Sequence, residues 1–504
     1  MDFGLLIKGF ETVLQPSGLL FILLGVTGGI LIGSLPGLTA TMGVALLVPF
    51  TFGLPVHHGL GMLLGIFCGA IYGGSISAIL IRTPGTPAAA ATVLDGYPLS
   101  QQGQAGRALT ISLFSSFIGG ITGVLIMIFL SPQISRFALK FSSPEYFALA
   151  VFGLSIIISV SGRSVIKGLM AGFFGLLVST IGFDPISGYP RFTFGSVNLL
   201  EGPAFIPTLI GLFALSEVLK GVEVIYTQEK IKNDITRYFP NMSDIKKCFQ
   251  TIIKSGILGT FIGSIPGAGS DIAAFVAYSE AKRTAKNPEA FGRGEIKGVA
   301  AAESANNACT GGAMIPMLSL GVPGDAVTAV LLGALVIQGL RPGPLLFKDH
   351  IDVVYSVFAG MMMANIMMLL VGMMGIRLFV RIISINRNTL LPIIFLLSLV
   401  GAYSMRNSLF DVWLAIGFGV IGYFMQKYDF PVSPILLSLI LGPMAEANLR
   451  RALIVSQGDP MILVSRPISA LLLIAAVVSI ITSARRQMKL EKQVLDLAQV
   501  TSSR

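Results

Sequence analysis

The stretch GSLPGLTATMG, residues 33–43, interrupts a long apolar run, and nearly the same words return at 263–273 as GSIPGAGSDIA. Proline removes a backbone donor and clashes with the preceding turn, and the glycine after it permits dihedrals that a helix does not use. Each stretch therefore reads as a broken helix. In lipid, a break survives only where its freed N–H and C=O groups are buried in protein or face a wet cavity.

The surroundings are lipid-like. Hydrophobic residues make up 53% of the 504 positions and charged residues only 12%, against about a quarter in soluble domains. Mean hydropathy is +0.81. Runs such as 111–130 and 467–484 reach the roughly 18–20 residues that span a hydrocarbon core. The net charge of +10 sits in short loops between apolar runs. It reads as a topology signal and not as a nucleic-acid surface. The start, MDFGLLIKGFETVLQPSG, lacks a basic n-region and reads as an amphipathic segment, not a cleaved signal. Cys68, Cys248 and Cys309 are scattered, with no metal-ligand spacing and no disulfide framework; His57 and His58 are adjacent and read as an exposed loop pair rather than a metal or proton site, and His350 stands alone. No Ser-His, HExxH or P-loop pattern is present, which argues against an intramembrane enzyme or an ATPase.

The repetition extends well beyond the first break. GGILIGSLPG (28–37) matches LGTFIGSIPG (258–267), and GGSISAILIRTPGTPAAA (73–90) matches GGAMIPMLSLGVPGDAVTA (311–329) with one inserted residue. DGYPL (95–99), GFFGLLVSTIGFDP (172–185) and LIGLFALSEVL (209–219) also find counterparts, in the same order, at 338–342, 417–431 and 440–450. Duplicated units of this kind characterise secondary transporters. The expected organisation is an N-terminal segment 1–17, a first membrane repeat 18–220 and a polar cytoplasmic linker 221–251. A second repeat 252–455, an extra transmembrane helix 456–486 and a cytoplasmic tail 487–504 follow.

Basic residues orient the copies. Lys230, Lys232, Arg237, Lys246, Lys247 and Lys254 mark the linker, and Lys282, Arg283, Lys286, Arg293 and Lys297 mark the loop after the second GSIPG. Both belong in the cytoplasm. The corresponding loop of the first copy, 51–61, has neither Lys nor Arg and belongs outside. Five crossings per copy give this inversion and put Arg377, Arg381, Arg387, Arg485 and Arg486 inside, although Arg136, Lys140, Arg450 and Arg451 then fall outside. The fold class is an all-α polytopic membrane protein with two inverted repeats, re-entrant hairpins and broken helices, about 11–14 membrane segments in all.

Four Pro-Gly breaks result, at 35–37, 83–85, 265–267 and 322–324. Half-helix N-termini suit an anion and freed carbonyls suit a cation. Candidate substrate ligands are Ser34, Gly37, Thr39 and Thr41 at the first break, and Ser75, Ser77, Arg82, Thr83, Gly85 and Thr86 at the second. Ser264, Gly267 and Ser270 stand at the third and Gly324 at the fourth. Asp271 replaces Thr41 and Asp325 replaces Thr86 between copies. These acids are candidate coupling residues, with Na+ as a candidate ion at both. Single breaks also serve simply as kinks that let helices pack.

AAESANNACTGGAMIP (301–316) places Glu303, Asn306, Asn307 and Thr310 on one helical face. A polar stripe in lipid must face protein or a cavity. Interhelical hydrogen bonding and substrate or ion contact are both open for it. Asn306 and Asn307 join the substrate candidates and Glu303 the cation-coupling candidates. Arg82 either pairs with a substrate carboxylate or snorkels to the membrane surface.

GSLPGLTATMGVALLVPFTFGL, GGSISAILIRTPGTPAAAATVLDGYPL, GSIPGAGSDIAAFVAYSEAKR and AAESANNACTGGAMIPMLSLGVPGDAVTAVLLGALVIQGLRPGPLLF resemble the large membrane subunit of the tripartite tricarboxylate transporters, over about residues 17–480. That resemblance implies a multi-pass permease of the bacterial inner membrane. Its expected partners are a small membrane subunit and a periplasmic solute-binding protein that delivers a carboxylate, citrate-like or related. No covalent cofactor and no nucleic acid are implied, and Na+ or H+ is the expected coupling ion. Where the family is expected to carry Asn before the second break, this chain has Arg82. A channel with re-entrant selectivity loops is the alternative.

Overall fold

A computed structural model describes residues 3–160, 164–223, 241–383 and 387–502. Most of the predicted 221–251 linker, with Lys230, Lys232 and Arg237, lies outside the described residues, as do the side chains of Arg377, Arg381, Arg387 and Arg486. The first half runs α1 (Phe3–Val13), α2 (Pro16–Ser34), α3 (Ala40–Thr51), α4 (Val56–Ile81), α5 (Val93–Gln101), α6 (Ala105–Ala138), α7 (Ser143–Val160) and α8 (Val165–Ser179). After a short antiparallel pair, β1 (Gly182–Phe183) and β2 (Pro190–Arg191), come α9 (Phe205–Leu209) and α10 (Ser216–Glu223), joined by the π-helical turn Ile210–Leu215. The second half runs α11 (Met242–Gly263), α12 (Gly269–Arg283), α13 (Ile296–Leu320), α14 (Ala326–Ile337), α15 (Pro344–Asp349), α16 (Ile351–Ile383), α17 (Arg387–Ser404), α18 (Leu409–Lys427), α19 (Ser433–Val455), α20 (Ile462–Ser465) and α21 (Pro467–Ser502). Among the described residues, seven helices are long and apolar enough to cross a membrane. The predicted all-α polytopic class holds.

The two halves match element by element: α2 to α6 correspond to α11, α12, α13, α14 and α16, and α7, α8 and α9–α10 to α17, α18 and α19. Glycine explains the tightest packing. Gly25, Gly29 and Gly33 of α2 press on the backbone of Met62, Ile66 and Ala70 in α4, where any Cβ would overlap it. Gly259 and Gly263 of α11 press in the same way on Ala305 and Cys309 of α13. Removing the side chain lets the backbones approach, which gains dispersion contacts where lipid offers no hydrophobic drive. The register continues to Gly73, which meets Ile30 as Gly312 meets Thr260. The sequence match aligned Gly73 with Gly311 instead; Gly311 faces Gly123 of α6. The inserted residue thus lies upstream of this glycine pair, not between it and the Pro-Gly break.

Packing also gives the relative direction of the copies. Rising numbers on α6 meet falling numbers on α16: Leu113 reaches Gly372, and Asn365 reaches Gly120. These equivalent helices are antiparallel. On α13, Ser304 and Ala308 follow Gly119 and Gly123 of α6, so that pair is parallel. On α16, Gly360 and Gly372 follow Leu64 and Tyr72 of α4, again in parallel. It follows that α4 and α13 point in opposite directions, as an inverted repeat requires. At the start of α6, Arg107 makes a two-pronged pair with Asp244 of α11, 2.8 and 2.6 Å, which sets that end beside the basic linker.

The chain forms two compact units, residues 1–139 with 206–420, and residues 140–205 with 421–504. In the first, α4 and α13 are buried almost throughout, and Gly211 of the π turn rests on the Ala415 backbone of α18. In the second, Gly442 of α19 rests on Ser179 of α8. The closing helix of each copy therefore packs on the α8-type helix of the other copy. In the second unit Arg191 pairs with Glu446 at 2.6 Å and Arg450 pairs with Asp184.

Candidate functional site

The breaks come in equivalent pairs. At the first, α2 ends with Ser34 Oγ donating to Leu31 O at 2.9 Å. Gly37 takes φ +87°, and Thr39 caps α3 by accepting the Met42 N–H at 3.1 Å. Thr41 is buried in the next turn. At the third, Ser264 Oγ donates to Phe261 O at 2.7 Å, Gly267 takes φ +84°, and α12 follows with Ser270 buried and Asp271 exposed. Only glycine holds such positive φ cheaply.

The second and fourth breaks share a different device. Helix α4 ends on Arg82 at φ +59° and α13 on the equivalent Gly321 at φ +73°, both left-handed, immediately before the Pro-Gly turn. Gly85 N–H then donates to Gly74 O at 3.1 Å. Thr86 is buried over Gly74, and its hydroxyl has no partner among the described residues. In the other copy, Asp325 caps α14 with a reciprocal box: its Oδ1 accepts the Thr328 N–H and hydroxyl, both at 2.8 Å, and its own N–H donates to Thr328 Oγ1 at 2.9 Å. A threonine hydroxyl and a carboxylate thus occupy the same symmetric place.

Within each copy the two breaks close on each other. Gly267 N–H donates to Gly324 O at 2.6 Å. Gly85 lies so close to the Gly33 carbonyl that a Cβ would overlap it, with Ser77 Oγ alongside. Asp271 and Asp325 fall within electrostatic reach of one another and of Cys309. The segments beyond the breaks then cross between copies. The turn after the second break packs on α12, and α14 packs on α3. The structure therefore fastens break to break inside each copy, and the copies meet through the half-helices that follow.

The polar stripe of α13 faces protein. Glu303 is fully buried, with Oε1 accepting from the Thr92 hydroxyl and from Asn306 Nδ2 at 3.3 Å, and Oε2 accepting from Ser116 Oγ at 3.0 Å. Ser75 and Ser112 share a 2.7 Å hydrogen bond next to this hub. Asn306 Nδ2 also donates to Ala88 O at 3.2 Å, just past the second break. Asn307 Nδ2 donates to Asn306 Oδ1 at 2.7 Å, whereas Asn307 Oδ1 is buried without a partner among the described residues. Thr310 Oγ1 turns back to Asn307 O at 2.7 Å. Interhelical hydrogen bonding, one of the two open readings, is present; Thr86 and Asn307 retain unused polar atoms.

Arg82 and Thr83 are exposed, apart from this buried hub, and Arg82 lies over the Tyr97 ring at 5.8 Å. Among the described residues no group of three His, Cys, Asp or Glu side chains is placed to hold a metal ion.

Sequence reasoning passed over Asp95, using DGYPL only as a repeat word. Asp95 is completely buried. Its Oδ1 accepts the N–H groups of Gly292, Gly294 and Glu295, each at 2.8 Å, and its Oδ2 accepts Tyr278 O–H at 2.9 Å. It thereby pins the α12–α13 connection to the first copy. Its repeat partner Gln338 sits against Gly59 at the start of α4. The available signal was an acid between apolar words whose counterpart, Gln338, is also polar.

The sequence model of the tripartite tricarboxylate transporter TctA family matches residues 19–437. An Agrobacterium vitis protein described as "Uncharacterized 52.8 kDa protein in TAR-I ttuC' 3'region" is 38% identical over 465 residues, 92% of this chain and 93% of that protein. A second one from the same organism, "Uncharacterized protein in TAR-II ttuC' 3'region", is 38% identical over 223 residues, 44% of this chain and 92% of that protein. No solved structure gives a significant match. With the family match covering most of the chain and the inverted, doubly broken architecture beneath it, the chain belongs to the TctA family of tripartite tricarboxylate transporters, as a multi-pass membrane component of a transport system.

Proposed function

We propose that this chain is the permease of a secondary carrier that imports a small carboxylate across the bacterial inner membrane by cation-coupled alternating access. A periplasmic solute-binding protein delivers the anion, and a small membrane subunit completes the system. The observation that carries this reading is the pairing of breaks in two inverted copies. Each pair sets two helix interruptions side by side, and the half-helices that start there carry a positive dipole end that suits an anion. Inverted copies also give a carrier two related ways of closing around one site.

The asymmetry between copies supports coupling. Asp271 and Asp325 stand where the first copy has Thr41 and Thr86. Two carboxylates within reach of one another repel, and a bound Na+ or proton relieves that repulsion. A cation on this pair also offsets the charge of an arriving carboxylate, so each ion favours the other's binding. Asp325 Oδ1 is occupied by its capping box, leaving Oδ2 for the cation. The unused Thr86 hydroxyl and Asn307 carbonyl are suited to the cargo.

The test is uptake by the full chain, its small subunit and its binding protein in proteoliposomes. Sodium and proton gradients are imposed separately against a panel of labelled di- and tricarboxylates. Saturable uptake driven by one gradient, with counterflow, is expected. Flux that does not saturate and shows no counterflow would favour the channel and overturn the carrier.

A further inference from the structure

At the end of α6 remote from Arg107 lies a cavity of about 660 Å³, walled by α1, α6, α15 and α16. Its apolar side is supplied by Phe3, Leu5 and Tyr355, and its polar side by Ser135, Arg136 and Lys348. No acidic residue lines it. Arg136 and Lys348 make no ion pair among the described residues. Ser135 is 1% exposed, and its hydroxyl has no partner among the described residues. A buried hydroxyl without a partner is costly unless something completes it; Ser115 and Ser131 of the same helix also lack a partner among the described residues, but Ser135 alone of the three lines this cavity.

Two cations from different elements, α6 and α15, line the same cavity with no acid beside them, which favours an anionic occupant. The apolar wall is continuous with exposed faces: Phe3 is 69% exposed and Ile7 of the same α1 is 59% exposed. The cavity sits where α6 ends and α16 begins, at a membrane surface, because both helices are of spanning length. A ligand that satisfies all of this has an anionic head with hydrogen-bond acceptors and an apolar tail. A soluble phosphate would satisfy the cations and Ser135 but leave the Phe3–Leu5 wall wet.

We propose that this cavity binds the phosphodiester headgroup of an anionic phospholipid, with Arg136 and Lys348 on the phosphate, Ser135 donating its hydroxyl to it, and the acyl chain running along α1. The lipid would tie α1 to α6 and α16, the antiparallel pair that relates the two copies. This site is separate from the paired breaks, and its test does not depend on transport.

The experiment measures retention of phosphatidylglycerol by the full chain in neutral detergent, using native mass spectrometry and a thermal-shift titration. Phosphatidylcholine and glycerol phosphate serve as the comparison arms. Phosphatidylglycerol is expected to be retained and to raise the melting temperature. The pair Arg136→Gln with Lys348→Gln should weaken its apparent affinity at least about tenfold, the change that corresponds to 1.4 kcal/mol. Arg136→Lys with Lys348→Arg should keep it, which separates lost charge from lost folding. Equal retention of phosphatidylcholine, or of phosphatidylglycerol by the Gln pair, overturns the proposal. Glycerol phosphate matching the lipid in the thermal shift assigns the cavity to a soluble anion and overturns the lipid.

Discussion

Gly267 and Gly324 are joined by a 2.6 Å hydrogen bond from the N–H of the first to the carbonyl of the second, so the two interruptions of the second copy are fastened together. In the first copy a Cβ on Gly85 would overlap the Gly33 carbonyl. Gly324 has no room for a side chain either, because a Cβ there would overlap Ala313. Gly85→Ala is expected to lower stability by about 1–3 kcal/mol through overpacking and to reduce uptake more than tenfold. Gly28→Ala, where a Cβ meets nothing within 4 Å, should leave both unchanged. Thermal unfolding and initial uptake rates check the contrast.

Arg82 occupies the left-handed position that Gly321 fills in the other copy. Side chains other than Gly and Asn pay roughly 1–2 kcal/mol there. Arg82→Asn should therefore raise stability by a few tenths to about 1 kcal/mol. If Arg82 guides the anion, the same variant raises KM for the carboxylate while kcat holds. An unchanged KM would reduce Arg82 to its place over the Tyr97 ring.

Asp95 receives three backbone N–H groups and a tyrosine hydroxyl from the opposite copy. Asp95→Ala takes the acceptor from four donors, the buried Tyr278 hydroxyl among them, and is expected to cost about 3–5 kcal/mol. Tyr278→Phe, which removes one donor and keeps the ring, should cost about 1 kcal/mol. Comparable losses in the two variants would show that Asp95 does not hold this loop.

Asp184 lies outside the spanning helices, in the segment between α8 and α9. The N–H groups of Ser187 and Ile186, and then the Arg450 guanidinium, hold its carboxyl well below the usual carboxylate range. A depressed folded pKa contributes stability above the unfolded value, near about 4, and that contribution is lost as pH falls toward the folded value. Acid titration of the melting temperature should show a decline below about pH 4 that is shallower in Asp184→Asn. Identical slopes would contradict the assignment.

Much of this was legible because repetition and lipid are strict constraints. A Pro-Gly break in an apolar run has few tolerated settings, and two equivalent pairs of them mark the repeat in the sequence itself. Basic residues such as Lys282 and Arg283 gave the inversion. The one-residue offset at Gly73 was not legible, because consecutive glycines in both copies allow either match and only the packing on Ile30 and Thr260 decides. Asp95 escaped because its partners are backbone N–H groups of a distant loop, which no residue type announces. The stripe from Glu303 to Thr310 was visible as a face, but Thr92, Ser112 and Ser116 come from other helices and leave no joint trace in the sequence.

The central claim, that the paired breaks hold the cargo, is tested most directly by site-specific labelling. Cys68, Cys248 and Cys309 are buried and free, so a cysteine-free background can carry Thr39→Cys or Ser264→Cys, one beside each repeat's first break. The account predicts that a water-soluble maleimide labels both positions and that the transported carboxylate with its coupling cation slows labelling several-fold. Labelling that the carboxylate and cation leave unchanged at both positions would contradict it.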